Sequence, residues 1–161
     1  MFSFTLQENH YVKIKSFFMG LQDKLRGYQD EKLQAQKKAG AEFMEENKKR
    51  PEVTELPGGI QYEILKEGSG PKPSINSSVK AHYRGALLDG KEFDSSFKRG
   101  QPFTAPLKHL IKGWQEVVPL MPEGSTWRLW IPSDLAYGDR GTGGIPGGAT
   151  LLFDIELIQV L

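Results

Sequence analysis

From Val12 onward the apolar residues recur with a helical period. Ile14, Phe18, Leu21, Leu25 and Tyr28 follow one another at spacings of four, three, four and three. That spacing sets them on one helix face as a heptad-like seam. Residues 30–50 are mostly Glu, Lys, Gln and Ala, all good helix formers, and the apolar positions thin to Leu33, Ala35, Ala39, Phe43 and Met44. Pro51 is expected to end the helix, because the residue before a proline resists the α conformation. Gly20, Gly27 and Gly40 each weaken a helix by roughly 1 kcal/mol relative to Ala, so a turn at Gly20 or Gly27 is compatible with the pattern. A lone helix cannot bury its own seam. The seam packs either on the rest of the chain or on a second copy, and the polar stretch 30–50, read as a solvated arm, favours the second copy.

Residues 52–58 break the composition, and after them the period becomes two. Ile60, Tyr62 and Ile64 alternate with polar neighbours as a first strand. Gly68 to Ser78 is rich in Gly, Pro and Ser and reads as a loop. Val79, Ala81 and Tyr83 alternate again and lead into Asp89-Gly90, a strong hairpin signal because such turns need positive φ. The returning strand carries Phe93 and Asp94, with Tyr83 and Phe93 expected on one side of the hairpin. Phe97 to Thr104 is irregular. Leu107, Leu110, Ile111, Trp114 and Val118 give a helical pattern over Leu107 to Leu120. Trp127, Leu129 and Ile131 form another alternating strand, residues 132–149 a long Pro- and Gly-rich loop, and Thr150 to Leu161 the last strand. The expectation is an α+β chain: a helical arm, 1–53, and an antiparallel domain with one short helix laid across it, 54–161.

The 161 residues hold one ordinary domain plus an appendage. A net charge of +1 gives no reason to expect nucleic acid or an anionic membrane as the main partner. There are no cysteines, so disulfide and thiolate chemistry are absent. No apolar run approaches the ~18–20 residues of a membrane span. Met1 to Tyr11 lacks a basic start followed by an apolar core. The expected location is therefore cytoplasmic, with the periplasm as the alternative where a signal has been removed.

Several catalytic readings fail on their residues. The run Gly138 to Gly148 invites a phosphate-loop reading, but Pro146 stands where the dinucleotide fingerprint wants its third glycine, and the P-loop Lys-Ser/Thr pair is absent. His10, His82 and His109 lack metal-ligand spacing, and no cofactor or metal is called for. Ser95-Ser96 has no base to activate it; hydrogen bonds to the turn after the strand explain both serines. What remains is a set of aromatics with one acid, which suits a site that works by enclosure rather than proton transfer.

Residues 54–161 resemble the FKBP-type peptidyl-prolyl cis–trans isomerases. The resemblance rests on Val79-Lys80-Ala81-His82-Tyr83-Arg84-Gly85, Asp89-Gly90-Lys91-Glu92-Phe93-Asp94-Ser95-Ser96, Pro102-Phe103, Ile111-Lys112-Gly113-Trp114, Leu135-Ala136-Tyr137-Gly138, Ile145-Pro146 and Ala149 to Leu157. Gly40 to Asn47 followed by Leu56 to Tyr62 is similar to the helix-and-linker junction of the bacterial two-domain, macrophage-infectivity-potentiator-like branch, whose N-terminal helices make homodimers. The resemblance implies a twisted, half-open antiparallel sheet wrapped around a short helix. It implies Trp114 as the floor for a proline ring, with Tyr83, Phe93, Phe103, Leu110, Ile111, Tyr137 and Phe153 as walls. Asp94 would sit at the edge, oriented by Arg99 and Tyr83. The Tyr137 hydroxyl and the Ile111 N–H would donate to substrate carbonyls, and Ile145 would cover the pocket. The implied catalytic set is Asp94, Tyr83, Phe93, Tyr137 and Trp114.

The partners so implied are proline-containing unfolded or partly folded polypeptides, macrocyclic inhibitors such as rapamycin and tacrolimus, and a second copy through the N-terminal helix. Gly144 and Gly147-Gly148 replace bulkier residues common in the family, so a looser cover over the pocket is expected. The alternative function is a chaperone or binding module that holds unfolded chains with little catalysis.

Overall fold

The computed structural model describes residues 3–161, with side chains from residue 10 on; Met1, Phe2 and the side chains of residues 3–9, part of the aperiodic leading segment, lie outside the described residues. Helix α1 runs Ser3–Asn47, unbroken at Gly20 and Gly27, where strong helix formers on both sides outweigh the cost of each glycine. It ends short of Pro51, in a turn in which Lys48 N–H donates to Met44 C=O (3.1 Å) and Arg50 N–H to Asn47 C=O (3.1 Å). The chain divides into two compact units, Met1–Ala35 and Gln36–Leu161. In the first, Ile14, Phe18, Leu21, Leu25 and Tyr28 are all exposed, as is Tyr11, which continues the seam by one step.

The second unit is a seven-stranded antiparallel sheet curled around a short helix. Its strands are β1 Val53–Glu55, β2 Gln61–Lys66, β3 Ser78–Leu87, β4 Glu92–Ser95, β5 Phe103–Pro106, β6 Thr126–Ile131 and β7 Leu151–Val160. The order is β1-β2-β6-β7-β3-β4, and β5 pairs with the first half of β3, beyond where β4 pairs with the second half. Two short helices complete it: α2, Ser96–Arg99, and α3, Lys112–Val117. From Leu151 to Leu157 of β7 the side chains alternate, with Leu151, Phe153, Ile155 and Leu157 buried. They meet Trp114, Val117 and Val118 from the helix side and Leu129 and Ile131 from β6. The α+β fold expected from the sequence is the one observed.

Three differences from the sequence reading have local causes. The composition break at 52–58 is a hairpin rather than a linker: Val53–Glu55 pairs with β2, and Leu56 N–H donates to Ile60 C=O (2.8 Å) across the Pro57-Gly58 turn. The irregular stretch Phe97 to Thr104 contains most of α2 and the start of β5. The helical pattern of Leu107 to Leu120 divides into a 3-10 turn and α3, because Leu110 and Ile111 are extended (ψ 171° and 151°), and a second 3-10 turn follows α3 directly at Val118–Leu120.

The compact unit begins inside α1 rather than at the expected 53/54 boundary, because the last turns of the helix cover the outer face of β6. Trp130 points away from the main core, yet Phe43 lies 6.5 Å from its ring and the Arg50 guanidinium 5.7 Å over it. Burying an indole of this size is worth roughly 4 kcal/mol. Gln61, fully buried, donates to Met44 C=O (2.8 Å) and Glu55 Oε2 (2.8 Å) and accepts from Asn47 Nδ2 (2.9 Å). Such a network satisfies polar groups that would be costly to bury alone. Gly40 lets the helix approach this closely: a Cβ there would collide with the Thr150 hydroxyl.

Candidate active site

Tyr83, Phe93, Asp94, Phe103, His109, Leu110, Ile111, Trp114, Tyr137 and Phe153 line one cavity of about 300 Å³. That is the lower end of the range for small-molecule sites. The hairpin β3–β4 brings Tyr83, Phe93 and Asp94 together. Its turn is one residue longer than the Asp-Gly pair read from the sequence: Gly90 N–H closes onto Leu87 C=O (2.9 Å), Leu87 N–H onto Lys91 C=O (2.9 Å), and Gly90 alone takes positive φ (89°). The Asp89 carboxylate accepts from Lys91 N–H (2.9 Å) and fixes the bend. Strand β5 supplies Phe103, α3 supplies Trp114, and β7 supplies Phe153.

The rings meet edge to face. Trp114 is nearly perpendicular to Tyr83 (5.5 Å, 86°), Phe103 (6.2 Å, 81°) and Phe153 (5.5 Å, 89°). Phe93 meets Phe153 the same way (5.7 Å, 84°). Each such pair adds roughly 0.5–1.5 kcal/mol beyond its area burial, so the box is held rigid without a ligand. Trp114 is buried and lines the cavity.

One carboxylate stands at the edge. The Asp94 carboxylate accepts from the Tyr83 hydroxyl and from Arg99 Nη1. Arg99 Nη2 also donates to Tyr83 Oη (3.1 Å), and the guanidinium sits 5.6 Å over the Tyr83 ring. Burial pushes the Asp94 pKa up, but the hydrogen bonds from Tyr83 and Arg99 and the Arg99 charge outweigh it and hold the carboxyl below its ordinary value. Burial, with help from Asp94, raises the Tyr83 phenol. Arg99 is carried by α2, which Ser95 caps by accepting from Lys98 N–H (3.4 Å). Ser96, fully buried, accepts from Tyr83 N–H (2.8 Å) and so ties α2 to β3. Both serines thus hold the chain rather than act as nucleophiles.

Two donors are left over. Ile111 precedes α3 in an extended conformation, and among the described residues its N–H has no backbone acceptor. Tyr137 is 39% exposed. Its phenol is raised by burial and by the Asp94 charge, so it stays protonated. The two residues that do not line the cavity are Arg99, which acts on it through Asp94, and Ile145. Ile145 is half-buried against the core, in a narrow turn where it bridges Thr142. His109 also lines the cavity, a place no pattern in the chain announces: it depends on the 3-10 turn Leu107–His109, which the helical period concealed.

The family described as FKBP-type peptidyl-prolyl cis-trans isomerase matches residues 70–158. The chain belongs to this family. The domain described as amino terminal to FKBP-type peptidyl-prolyl isomerase matches residues 4–64. Among FKBP relatives, the FkpA isomerase of Aeromonas hydrophila is 47% identical over 123 residues, which are 76% of this chain and 46% of that protein. The 22 kDa FKBP-type isomerase of Escherichia coli is 42% identical over 132 residues, 81% of this chain and 64% of that protein. This FKBP chain therefore spans about half to two thirds of the length of these relatives. The crystal structure of FkpA from Escherichia coli superposes with a TM-score of 0.87 at 32% identity, covering 95% of this chain and 72% of that one.

Proposed function

We propose that the chain accelerates cis–trans rotation about Xaa-Pro bonds in protein clients, by enclosing the proline ring in the aromatic cavity. The observation that carries this reading is a box of perpendicular rings built on Trp114, with two unused donors at its mouth. Unaided rotation takes roughly 10–100 s at 25 °C. A common enzyme turnover of about 10 per second requires an acceleration of roughly 10²–10³, or about 3–4 kcal/mol. No bond breaks, so no nucleophile or base is needed. The twisted amide has lost its resonance and is less dipolar than the planar one. An apolar pocket therefore disfavours the planar ground state more. The Ile111 N–H and Tyr137 hydroxyl hold the flanking chain in a turn and contribute through orientation. Asp94, fixed by Tyr83 and Arg99, is the one carboxylate lining the cavity among the described residues, and Phe93, Phe103, Leu110 and Phe153 complete the enclosure. Rapamycin and tacrolimus would compete for the same cavity.

The test is NMR exchange of a short neutral Xaa-Pro peptide. Wild type accelerates exchange, and Asp94→Ala slows it roughly tenfold, a loss of about 1.4 kcal/mol in the transition state. The pH profile has a definite sign. The Asp94 pKa is depressed in the fold, so its ion pair is complete above the ordinary carboxylate value of about 3.9. It is lost only as pH falls through the depressed value. Turnover of the neutral peptide stays level from about pH 8 down to the ordinary carboxylate value of about 3.9 and falls only as pH drops below it, through the depressed value. A folded wild type without acceleration would leave the second reading, a holding module.

We also propose that two copies pair through α1. Phe18 is 57% exposed, and Ile14, Leu21, Leu25 and Tyr28 are exposed beside it at the same spacing, with Val12, Phe17 and Met19 adjoining. Such a continuous apolar face is rare on a lone protein, and a 3,4 seam fits a second helix of its own kind. Sedimentation at tens of micromolar should give a dimer for wild type and a monomer for Phe18→Glu/Leu21→Glu. A monomeric wild type overturns the pairing.

A further inference from the structure

We propose that a second groove, between the last turns of α1 and the segment joining β6 to β7, binds an arginine side chain of a polypeptide. The groove holds about 370 Å³ and shares no lining residue with the aromatic cavity. Two of its lining residues carry buried hydroxyls: Ser133 is 7% exposed and Thr150 5%. Among the described residues neither hydroxyl has a hydrogen-bond partner. Neither is sealed off as the Trp127 indole N–H is, so each stays open to the space that it lines. The Thr150 hydroxyl faces α1 at Gly40, where a Cβ would collide with it. A buried polar group without a partner is costly, and a ligand in the groove would satisfy both. Carboxylates stand around them. Glu45, Glu55 and Asp134 line the groove against one cation, Lys37. Lys37 is taken by Asp139 (2.5 Å), and Glu45 by Lys48 (2.7 Å). Among the described residues that leaves Glu55 and Asp134 outside any ion pair. Glu55 accepts only from the neutral Gln61 amide (2.8 Å). The Asp139 hydrogen bond and charge, with Asp134 adding to them, hold the Lys37 ammonium above its ordinary value against desolvation. The field in the groove is therefore negative.

Two free hydroxyls and two unpaired carboxylates are all able to accept, so the matching ligand is a cation with several donors. A metal ion does not fit: among the described residues no three carboxylates or imidazoles stand close enough together to hold one. A guanidinium fits. Its N–H donors lie in a fixed plane and meet a carboxylate and a hydroxyl at once, and it sheds water more readily than an ammonium. The wall that carries Ser133 and Asp134 is already in place. Gly138 N–H donates to Ser133 C=O (2.8 Å), and Gly148 N–H donates to Gly138 C=O (2.9 Å). The occupant is a polypeptide because the two sites are close. Asp134 lines the groove and Tyr137 the aromatic cavity, and three residues span at most about 11 Å. One extended chain reaches both. Binding in the groove does not depend on what the cavity does.

The experiment is an NMR titration of the full chain, at low salt, with two capped glycine peptides that contain no proline. One carries a central arginine and the other citrulline, its neutral isostere. The arginine peptide should shift the Ser133, Asp134 and Thr150 amides saturably. One unit charge at about 4 Å in water is worth roughly fivefold, so two carboxylates make the arginine peptide bind roughly 5–10-fold tighter than citrulline. That ratio shrinks towards one near 0.5 M salt. Asp134→Asn lowers it at least about twofold. Thr150→Val keeps the charges and the volume, removes one hydroxyl, and weakens the arginine peptide roughly threefold. Equal binding of the two peptides overturns the proposal, as does an arginine peptide that leaves the three amides unmoved. Unchanged binding in both variants overturns it too. The wild-type comparison decides the matter even where a variant does not fold. Proline exchange, measured separately, bears on the aromatic cavity alone.

Discussion

Trp114→Ala lowers stability by about 3–5 kcal/mol and slows proline exchange roughly 10–100-fold in the fraction that remains folded. The two losses have separate origins. The indole is 4% exposed and belongs to the main core between α3 and the sheet. Removing it leaves a void that the perpendicular rings of Tyr83, Phe103 and Phe153 cannot fill without giving up their own contacts. The catalytic loss follows because the void opens in the lining of the cavity, where water would enter beside the substrate ring. The check is urea denaturation beside peptide exchange, with the rate scaled to the folded fraction. A variant that is destabilised but fully active per folded molecule would confine Trp114 to the core and remove the floor from the proposed mechanism.

The residues differ in how much of this was legible from the chain alone. The β7 alternation and the α1 seam were clear, because each is periodic over many residues and periodicity is a local property. The Asp89-Gly90 hairpin was clear because one dipeptide carries the turn chemistry. β1 and α2 were not, since elements of three or four residues hold no period of their own. The start of the compact unit was hidden for another reason. Phe43 and Trp130 are far apart in sequence, and nothing in the polar composition of residues 30–50 announces that the last turns of α1 cover the sheet. Gly40 looked like a weak point of the helix, whereas it is where the helix approaches Thr150. Tyr83, Phe93 and Asp94 were legible from the hairpin itself, whereas Leu110, Ile111 and Phe153 were found through family resemblance, because period alone assigns them to the core. His109 followed from neither, since its position depends on where the 3-10 turn stops and the extended pair Leu110-Ile111 begins.

Gly85 is the other position that only packing discloses, and Gly85→Ala is expected to damage the cavity more than the fold. Gly85 is buried in β3, opposite Asp94 on β4 and Phe153 on β7. A Cβ built there comes to 2.6 Å from two atoms of the Phe93 ring and 2.9 Å from the Phe153 ring. Those distances are below any real carbon contact, so both rings must shift, and both line the cavity. Alanine in a strand gains roughly 0.5–1 kcal/mol over glycine through backbone entropy, whereas overpacking costs about 1–3 kcal/mol. The net loss is then only about 1–2 kcal/mol, and the variant folds. Its cavity, however, is deformed where the proline ring must enter. The expected rate loss is roughly tenfold or more, larger than the stability change alone would produce at room temperature. Gly27→Ala is the control: nothing lies within 4 Å of a Cβ there, and the helix gains roughly 1 kcal/mol. Denaturation, peptide exchange and the ring-current shifts of Phe93 and Phe153 measured on both variants decide the matter. Wild-type exchange by Gly85→Ala would mean that the rings move without narrowing the cavity, and that enclosure by Phe93 and Phe153 is not what accelerates the rotation.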